Sequence, residues 1–358
     1  MSSIREIAER TGLSTATVSL ALRDAARIPE VTRARVKAAA EALGYQPEPL
    51  LSKAFSLVRQ PKSERYRETL AFITEFSLDD PTLDPYPLYQ EHLYAGAGER
   101  ARSMGFKLEP FALSGKPSEH RRVGRMLHAR GVRGLIVIPR LSMDQPRLSF
   151  HWEHFAAVEI GRCLWYPRNL HHVETAEYYK IIESLHLLKK AGYRRIGMAV
   201  EPDQNKHQRG VFYAAYLLGQ LRVPVRKRIP IASTTGDWNE KNFCAWMKNY
   251  KPDVLIVHDH VTITRWLKKM NFSIPDDISL FCVNVQDDYH SGLRRDYRGM
   301  GIQAVELVSL MLESGQMGLR ENPRCWQVDE FWQTGKTLSK SLERFVSSQG
   351  FLLGAPPR

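Results

Sequence analysis

The sequence predicts two different folds in one chain. An all-α headpiece with a helix-turn-helix comes first, and an α/β body of two lobes with parallel sheets follows. Three observations lead there. Residues 3–22 carry two short helical patterns joined by a tight turn. From Thr69 onward, short apolar strands alternate with amphipathic helices, which is the signature of βαβ units and parallel sheets. That strand–helix pattern runs twice, roughly over 69–160 and 193–290, in a chain of 358 residues that is too long for one typical domain.

In the headpiece, Ile4, Ile7 and Ala8 lie at i, i+3, i+4 and make one apolar helix face. Gly12 sits where that helix must stop and turn, a place that favours positive φ. Ser14 is positioned to cap the next helix, whose Val18, Ala21 and Leu22 pack back on the first. Thr15, Ala16, Thr17, Ser19 and Leu20 are left outward, and short side chains on an exposed helix can approach base edges and phosphates in the DNA major groove. A third helix is expected from Pro29-Glu30-Val31-Thr32 to Leu43, with Val36, Ala39, Ala40 and Leu43 buried and Gly44 ending it. An ordinary packed helix pair would share any one of these features. Their ordered combination favours a DNA-reading module.

With Tyr45-Gln46-Pro47 the pattern becomes specific. The stretches IREIAERTGLSTATVSLAL and VTRARVKAAAEALGYQP, with the spacing between them, resemble the headpiece of the lactose-repressor (LacI/GalR) family of bacterial transcription regulators. The rest of the chain follows that family's layout more loosely. The resemblance implies a headpiece at 1–47, a hinge or linker at 48–68, a two-lobed effector-binding and dimerisation domain of periplasmic-binding-protein type at 69–338, and a tail at 339–358. It implies phosphate contacts from Ser14, Thr17, Ser19, Arg23 and Thr32, and places Thr15, Ala16 and Leu20 where relatives touch bases. Leu20 replaces a frequent Arg, so direct guanine readout there is lost, while an aliphatic chain can meet a thymine methyl.

Pro47, Pro49, Pro61 and a mixed-charge stretch mark the linker. In relatives a hinge helix there wedges a leucine into the minor groove. Here Pro49 occupies an early hinge position and the wedge position falls on Ala54, with Phe55 beside it. A wedge by Phe55 or Leu51 and a plain tether packed on the body both stay open.

The formal net charge of +12 suits a polyanionic partner. Residues 1–60 hold nine basic and six acidic groups, so most of the excess lies elsewhere and weighs less than the motif. Cys163, Cys244, Cys282 and Cys325 are far apart with no C-x-x-C pair, as expected of reduced thiols. No secretory signal and no membrane-length apolar run is visible, so a cytoplasmic location is expected.

In the body, strands are expected at Leu70–Ile73, Lys107–Leu113, Leu135–Ile138, Ala156–Ile160, Arg195–Val200, Val254–Val257 and Ile278–Val283. Helices are expected at Tyr89–Met104, Glu119–Ala129, Glu174–Ala191, Arg209–Leu221, Thr262–Met270 and Met300–Glu313. Leu338, Leu342 and Phe345 have helical spacing, too short a run for a coiled-coil zipper.

Ligands of open α/β sheets sit beyond the carboxyl ends of strands. That rule selects Tyr86 and Tyr89, Glu159, His207 and Arg209, His258 and Asp259, and Asn284 as candidate effector contacts. In relatives an Arg near the third place and an Asp matching Asp259 bind effector hydroxyls. Arg209 or His207 fills the former position, and Ala176-Glu177 stand where relatives carry an acidic–amide pair. Each of these residues has a plainer reading as a helix cap or surface group.

No catalytic signature such as G-x-S-x-G, a phosphate-binding loop or H-E-x-x-H is present, so a non-enzyme without cofactor is expected. His258, Asp259 and His260 lack a sequence partner with ligand spacing, and no metal site is expected. The function implied is a ligand-responsive DNA-binding regulator, a homodimeric repressor on a near-palindromic double-stranded DNA operator with a sugar-like effector and no membrane role. The alternative is a solute-binding sensor or enzyme of the same body fold that does not bind DNA.

Overall fold

The computed structural model of the chain describes residues 4–22, 28–45, 68–74, 87–113, 116–138, 146–340 and 342. Arg23, Ala54, Phe55, Tyr86 and Phe345 lie outside the described residues, as do positions 48–67 of the expected hinge and most of the expected tail. Contacts divide the chain into two units, Met1–Glu64 and Arg65–Arg358.

The first unit contains helices α1 (Ile4–Thr11), α2 (Thr15–Leu22) and α3 (Glu30–Ala42). Their small core is Ile7, Ala8, Val18, Ala21, Val36 and Ala40. Gly12 takes φ +64° at the turn, where a Cβ would be strained. The Ser14 hydroxyl accepts a hydrogen bond from the Thr17 backbone N–H at 3.1 Å, which satisfies a donor that α2 leaves open.

The second unit has two lobes. The N-lobe sheet is six-stranded in the order β10-β5-β4-β3-β1-β2, with every pairing parallel. Its strands are β1 (Glu68–Thr74), β2 (Phe106–Ala112), β3 (Gly134–Val137), β4 (Ala156–Ile160), β5 (His171–Thr175) and, much later in the chain, β10 (Cys325–Val328). Helix α4 (Pro87–Ser103) packs on one face and α5 (Pro117–Ala129) on the other.

The C-lobe holds β6 (Ile196–Ala199), β7 (Val254–Val257), β8 (Ser279–Cys282), β9 (Gly292–Arg295) and β11 (Glu330–Gln333). They are ordered β11-β9-β8-β7-β6, parallel except for the β11–β9 pair. Its helices in chain order are α6 (Glu177–Lys190), α7 (Pro202–His207), α8 (Val211–Leu221), α9 (Glu240–Tyr250) and α10 (His260–Lys269). Helix α11 (Tyr297–Glu313) returns to the N-lobe and crosses α4. The two helices approach so closely that a Cβ at Gly96 or Gly301 would collide with the partner's backbone. Buried apolar layers cover both faces of each sheet, which is why strands such as Leu135-Ile136-Val137 and Val254–Val257 are apolar throughout.

The chain passes between the lobes three times, from β5 to α6, from β9 to α11 and from β10 to β11. A single residue bridges each passage: Ala176, Asp296 and Asp329.

Several expected elements differ. The helix expected over Glu174–Ala191 begins at Glu177, because His171–Thr175 is a strand clasped between β4 and β10. The helix expected from Arg209 starts at Val211, because Arg209 and Gly210 both hold positive φ, 52° and 82°. Residues 335–340 form no helix; Leu338 packs against the C-lobe core and Leu342 is buried in it.

The headpiece depends on few buried side chains, and Ile7 is fully buried among them. Ile7→Ala should cost the headpiece about 2–5 kcal/mol, more than so small a module can spare. Because the body has its own cores, calorimetry should show loss of a low-temperature transition with the main transition retained.

Candidate functional site

The headpiece offers one surface suited to nucleic acid. On α2, Thr15 is exposed and Thr17 and Leu20 are half-buried, while Val18 and Ala21 face the core. Ser14 and Thr17 share a hydroxyl–hydroxyl hydrogen bond of 2.8 Å at the exposed start of this helix. Ala16 and Ser19 belong to the same helix, and Thr32 is half-buried in the first turn of α3.

The body contains a cavity of about 1210 Å³ between its lobes. One wall comes from the N-lobe through Tyr89, Ile160 and Arg162, and the other from the C-lobe through Glu201, His258 and Asp259. The lobe-crossing residues Ala176, Glu177, Arg295 and Tyr297 line it as well. Tyr89 and Tyr297 set their rings 5.7 Å apart, and Trp238 contributes a further aromatic surface. Aromatic faces with a few converging polar groups are what a binding site for a small polar molecule needs.

Asp259 stands at the mouth of the C-lobe just beyond β7 and lines the cavity. Its Oδ1 also accepts the Thr262 backbone N–H at 2.9 Å and caps α10. The two readings of this residue are therefore compatible, one oxygen serving as cap. His258 lines the same wall, and burial, reinforced by the positive Arg295, pushes its imidazole down to about 3. It is neutral at physiological pH and offers one donor and one acceptor. Asn284 is buried, lines the cavity and accepts a hydrogen bond from the Tyr297 hydroxyl at 3.0 Å.

His207 and Arg209 both line the cavity. The Arg209 guanidinium is committed across the cleft, with Nε donating to the Arg162 carbonyl at 2.6 Å and an Nη donating to the Leu164 carbonyl at 2.8 Å. It ties the C-lobe to the N-lobe loop after β4, and its positive φ is part of that reach. Glu159 stands apart from the cavity wall. Its Oε1 accepts the Leu164 N–H at 2.8 Å, and burial pushes its carboxyl up to about 7.

Two features were missed in the sequence. Glu201 follows β6 and lines the cavity, and neither of its carboxylate oxygens has a well-formed hydrogen bond. Burial, with Asp259 adding repulsion, pushes it up to about 7. The same rule of strand carboxyl ends points to it, two residues after Ala199 ends β6. The second feature is Arg295, which pairs with Glu177 and, at 3.2 Å, with Glu330. Glu330 is 2% exposed, and burial raises it to about 7 although Arg295 opposes the shift. These three residues are far apart in sequence, and no local signal links them.

Residues 3–48 match the family described as bacterial regulatory proteins, lacI family, and residues 185–323 match the periplasmic binding protein-like domain. The chain belongs to the lacI family. No curated protein matches it in sequence. Among solved structures, this lacI-family chain resembles the lac repressor dimer bound to operator and the anti-inducer ONPF, with 18% identity over 94% of this chain and 99% of that one and a TM-score of 0.53. It also resembles the complex of the transcriptional regulator CelR with cellobiose, at 16% identity, 94% and 100% coverage and a TM-score of 0.51. A third is the LacI-family regulator CCPA from Weissella paramesenteroides with bound glucose, at 12% identity, 76% and 98% coverage and a TM-score of 0.53. At these identities the likeness is one of fold.

Glu201 gives the body a measurable pH signature. Its carboxyl is raised from 4.5 to about 7, so the folded chain holds this proton more tightly than the unfolded chain. The stability linked to it is complete below about pH 4.5 and is lost as pH rises through 7. Glu201→Gln should therefore stabilise the body by roughly 1–3 kcal/mol at pH 8 and by nearly nothing at pH 5. Urea denaturation of both proteins at the two pH values checks this; parallel profiles would remove Glu201 as the source.

Proposed function

We propose that this protein is a ligand-responsive, sequence-specific transcription regulator, a repressor that binds a near-palindromic operator as a homodimer and releases or tightens on it when a small polar effector occupies the interlobe cavity. The observation that carries this reading is the union in one chain of a lacI-type headpiece with an exposed reading helix and a cavity floored by the lobe crossings. The proposal needs no catalysis and places the protein in the cytoplasm. The alternative of a sensor or enzyme without DNA binding gives residues 3–48 no role.

In this reading Thr15, Ala16 and Leu20 face base edges. Ser14, Thr17, Ser19, Arg23 and Thr32 face phosphates, which position the helix without specifying sequence. Ala54 and Phe55 are the hinge candidates for the minor groove. One short reading helix gives little affinity alone, which favours two headpieces on two half-sites. Leu217, Leu218, Leu221 and Val225 form an exposed apolar stripe on and after α8 that suits contact with a second copy.

The effector is proposed to be a carbohydrate or a polyol-like molecule. Glu201, Asp259, His258 and Asn284 supply acceptors and donors on one side, and Tyr89, Tyr297 and Trp238 supply aromatic faces. The cellobiose of the CelR complex and the glucose of the Weissella regulator fit this chemical class. Selection of bound fragments from a genomic DNA pool, with and without a carbohydrate panel, tests both halves together. Failure to enrich any palindromic sequence would overturn the regulator reading.

Asp259→Asn keeps the size and a side-chain oxygen able to cap α10, but removes the charge. It should weaken effector binding at least about tenfold, about 1.4 kcal/mol, with little change in melting temperature. Calorimetric titration of the effector alongside a thermal melt checks this. Joint loss of affinity and stability would reduce Asp259 to its capping role. Operator affinity of the wild-type protein should also fall steeply between 50 and 200 mM salt, as phosphate neutralisation requires.

A further inference from the structure

Beside the effector cavity, on its C-lobe rim, four side chains with metal-ligand chemistry converge. His260 opens α10, Cys282 ends β8, and Asp287 and His290 lie in the loop between β8 and β9. One ligand atom from each of His260, Cys282 and His290 lies within 4.8 Å of the others. Oδ2 of Asp287 is 2.8 Å from His290 Nδ1 and 3.6 Å from His260 Nε2. Its Oδ1 accepts the backbone N–H groups of Tyr289 and His290, each at 2.9 Å, and also lies 2.9 Å from His290 Nδ1, so the carboxylate is fixed with both oxygens on His290 and Oδ2 toward His260 as well. The two imidazole centroids are 3.9 Å apart.

We propose that His260, Cys282, Asp287 and His290 form a binding site for one borderline divalent transition-metal ion of the Zn²⁺ class. The plainer reading, a loop turn held by Asp287 with His290 as its partner, accounts for that pair alone. It does not explain why a second imidazole approaches the same carboxylate, nor why a fully buried thiol lies within 4.8 Å of both rings' ligand atoms. The donor set selects the metal. One thiolate, two imidazoles and one carboxylate suit Zn²⁺ and its neighbours, whereas Ca²⁺ and Mg²⁺ require oxygen shells. With metal–nitrogen and metal–oxygen bonds near 2.0 Å and a metal–sulfur bond near 2.3 Å, tetrahedral ligand atoms lie roughly 3.3–3.6 Å apart. The 2.8 and 3.6 Å separations at Asp287 already bracket that spacing.

An ion there would join the first turn of α10 to the end of β8 and the β8–β9 loop. His260 lines the effector cavity, and His258 and Asp259 precede it directly. Metal binding would therefore stiffen the segment that carries the C-lobe's proposed effector contacts. The ions themselves, rather than any effector, are the probe, so the test is independent of what the cavity binds.

The experiment is titration of the reduced full-length protein with Co²⁺, followed by displacement with Zn²⁺. One equivalent should bind, with a thiolate-to-cobalt charge-transfer band and the intense visible absorption of a tetrahedral site, both lost on addition of Zn²⁺. Cys282→Ser should remove the charge-transfer band. His260→Gln and His290→Gln, at partly exposed positions, should each weaken Co²⁺ binding at least about tenfold while the melting temperature without metal changes little. Cys325→Ser serves as a control, because Cys325 belongs to a second cluster with His172 and Glu174. No saturable uptake, a thiolate band that survives Cys282→Ser but not Cys325→Ser, or unchanged affinity in both histidine variants would overturn the proposal.

Discussion

The two lobes of the body are held in register by one buried cation. Arg295 ends β9 where the chain leaves the C-lobe, Glu177 opens α6 where it enters, and Glu330 opens β11 at the third passage. The guanidinium pairs with both carboxylates, and the Thr175 hydroxyl adds a bond of 3.2 Å to Glu177. Every crossing thus meets at one side chain. The arrangement holds two acids against one base, and burial answers by raising Glu330 to about 7, so that the cluster avoids a net buried charge near neutrality. Such a network adds little net stability compared with an apolar core, but removing one partner leaves an uncompensated charge at a cost of about 3–5 kcal/mol. Its contribution is to fix which strands and helices meet. Because one residue links the elements at each crossing, rotation of the lobes must be absorbed at Ala176, Asp296 and Asp329 and transmitted through this cluster.

The cavity is placed by the same constraint. Glu177, Arg295 and Tyr297 belong both to the crossings and to the cavity lining. A molecule in the cleft touches the groups that set the angle between the lobes, with no intermediate chain of side chains. Tyr297 extends the link, since its hydroxyl reaches Asn284 on the C-lobe rim while its helix packs in the N-lobe. Coupling of two sites requires a ligand that contacts two conformations differently. A ligand spanning a hinge floor and two opposed walls meets that requirement by geometry.

Local pattern carried the headpiece and much of the sheets. Gly12, Ser14 and the apolar spacing of α1 to α3 act within a few residues of one another, so the sequence displays them directly. Buried parallel strands such as Val254–Val257 appear as short apolar runs for the same reason. The missed strands are those whose polar groups find partners far away. In β9, Gly292-Leu293-Arg294-Arg295 reads as a charged loop until Glu177 and Glu330 are placed beside Arg295 and Gln333 beside Arg294. β10 contains a Gln and an exposed Cys, its strand partner is the distant β5, and its Val328 and Trp326 pack on the N-lobe core. α9 is a different case, because Asn239 and the spacing of Phe243, Trp246 and Met247 were visible cues. In the site, Asp259 was legible from its place after β7. Glu201 obeys the same rule, but the more familiar Arg209 drew the assignment further along the chain.

Arg209 shows what residue identity alone leaves out. A guanidinium near a cleft suggests a grip on ligand hydroxyls, yet here its donors serve two carbonyls of the opposite lobe. It acts as a strut that holds the cleft at one width, opposite the hinge made by Arg295. Two arginines then bracket the cavity. Arg295 is paired with acids, whereas the hydrogen bonds from Arg209 go to neutral carbonyls, which are weaker partners than carboxylates. A ligand that offers Arg209 an anionic or multiply hydroxylated partner would favour a different lobe angle from one that fills the cavity behind it. The direction of the response would then depend on which side of this strut the ligand occupies, so one fold can be tightened by one effector and loosened by another.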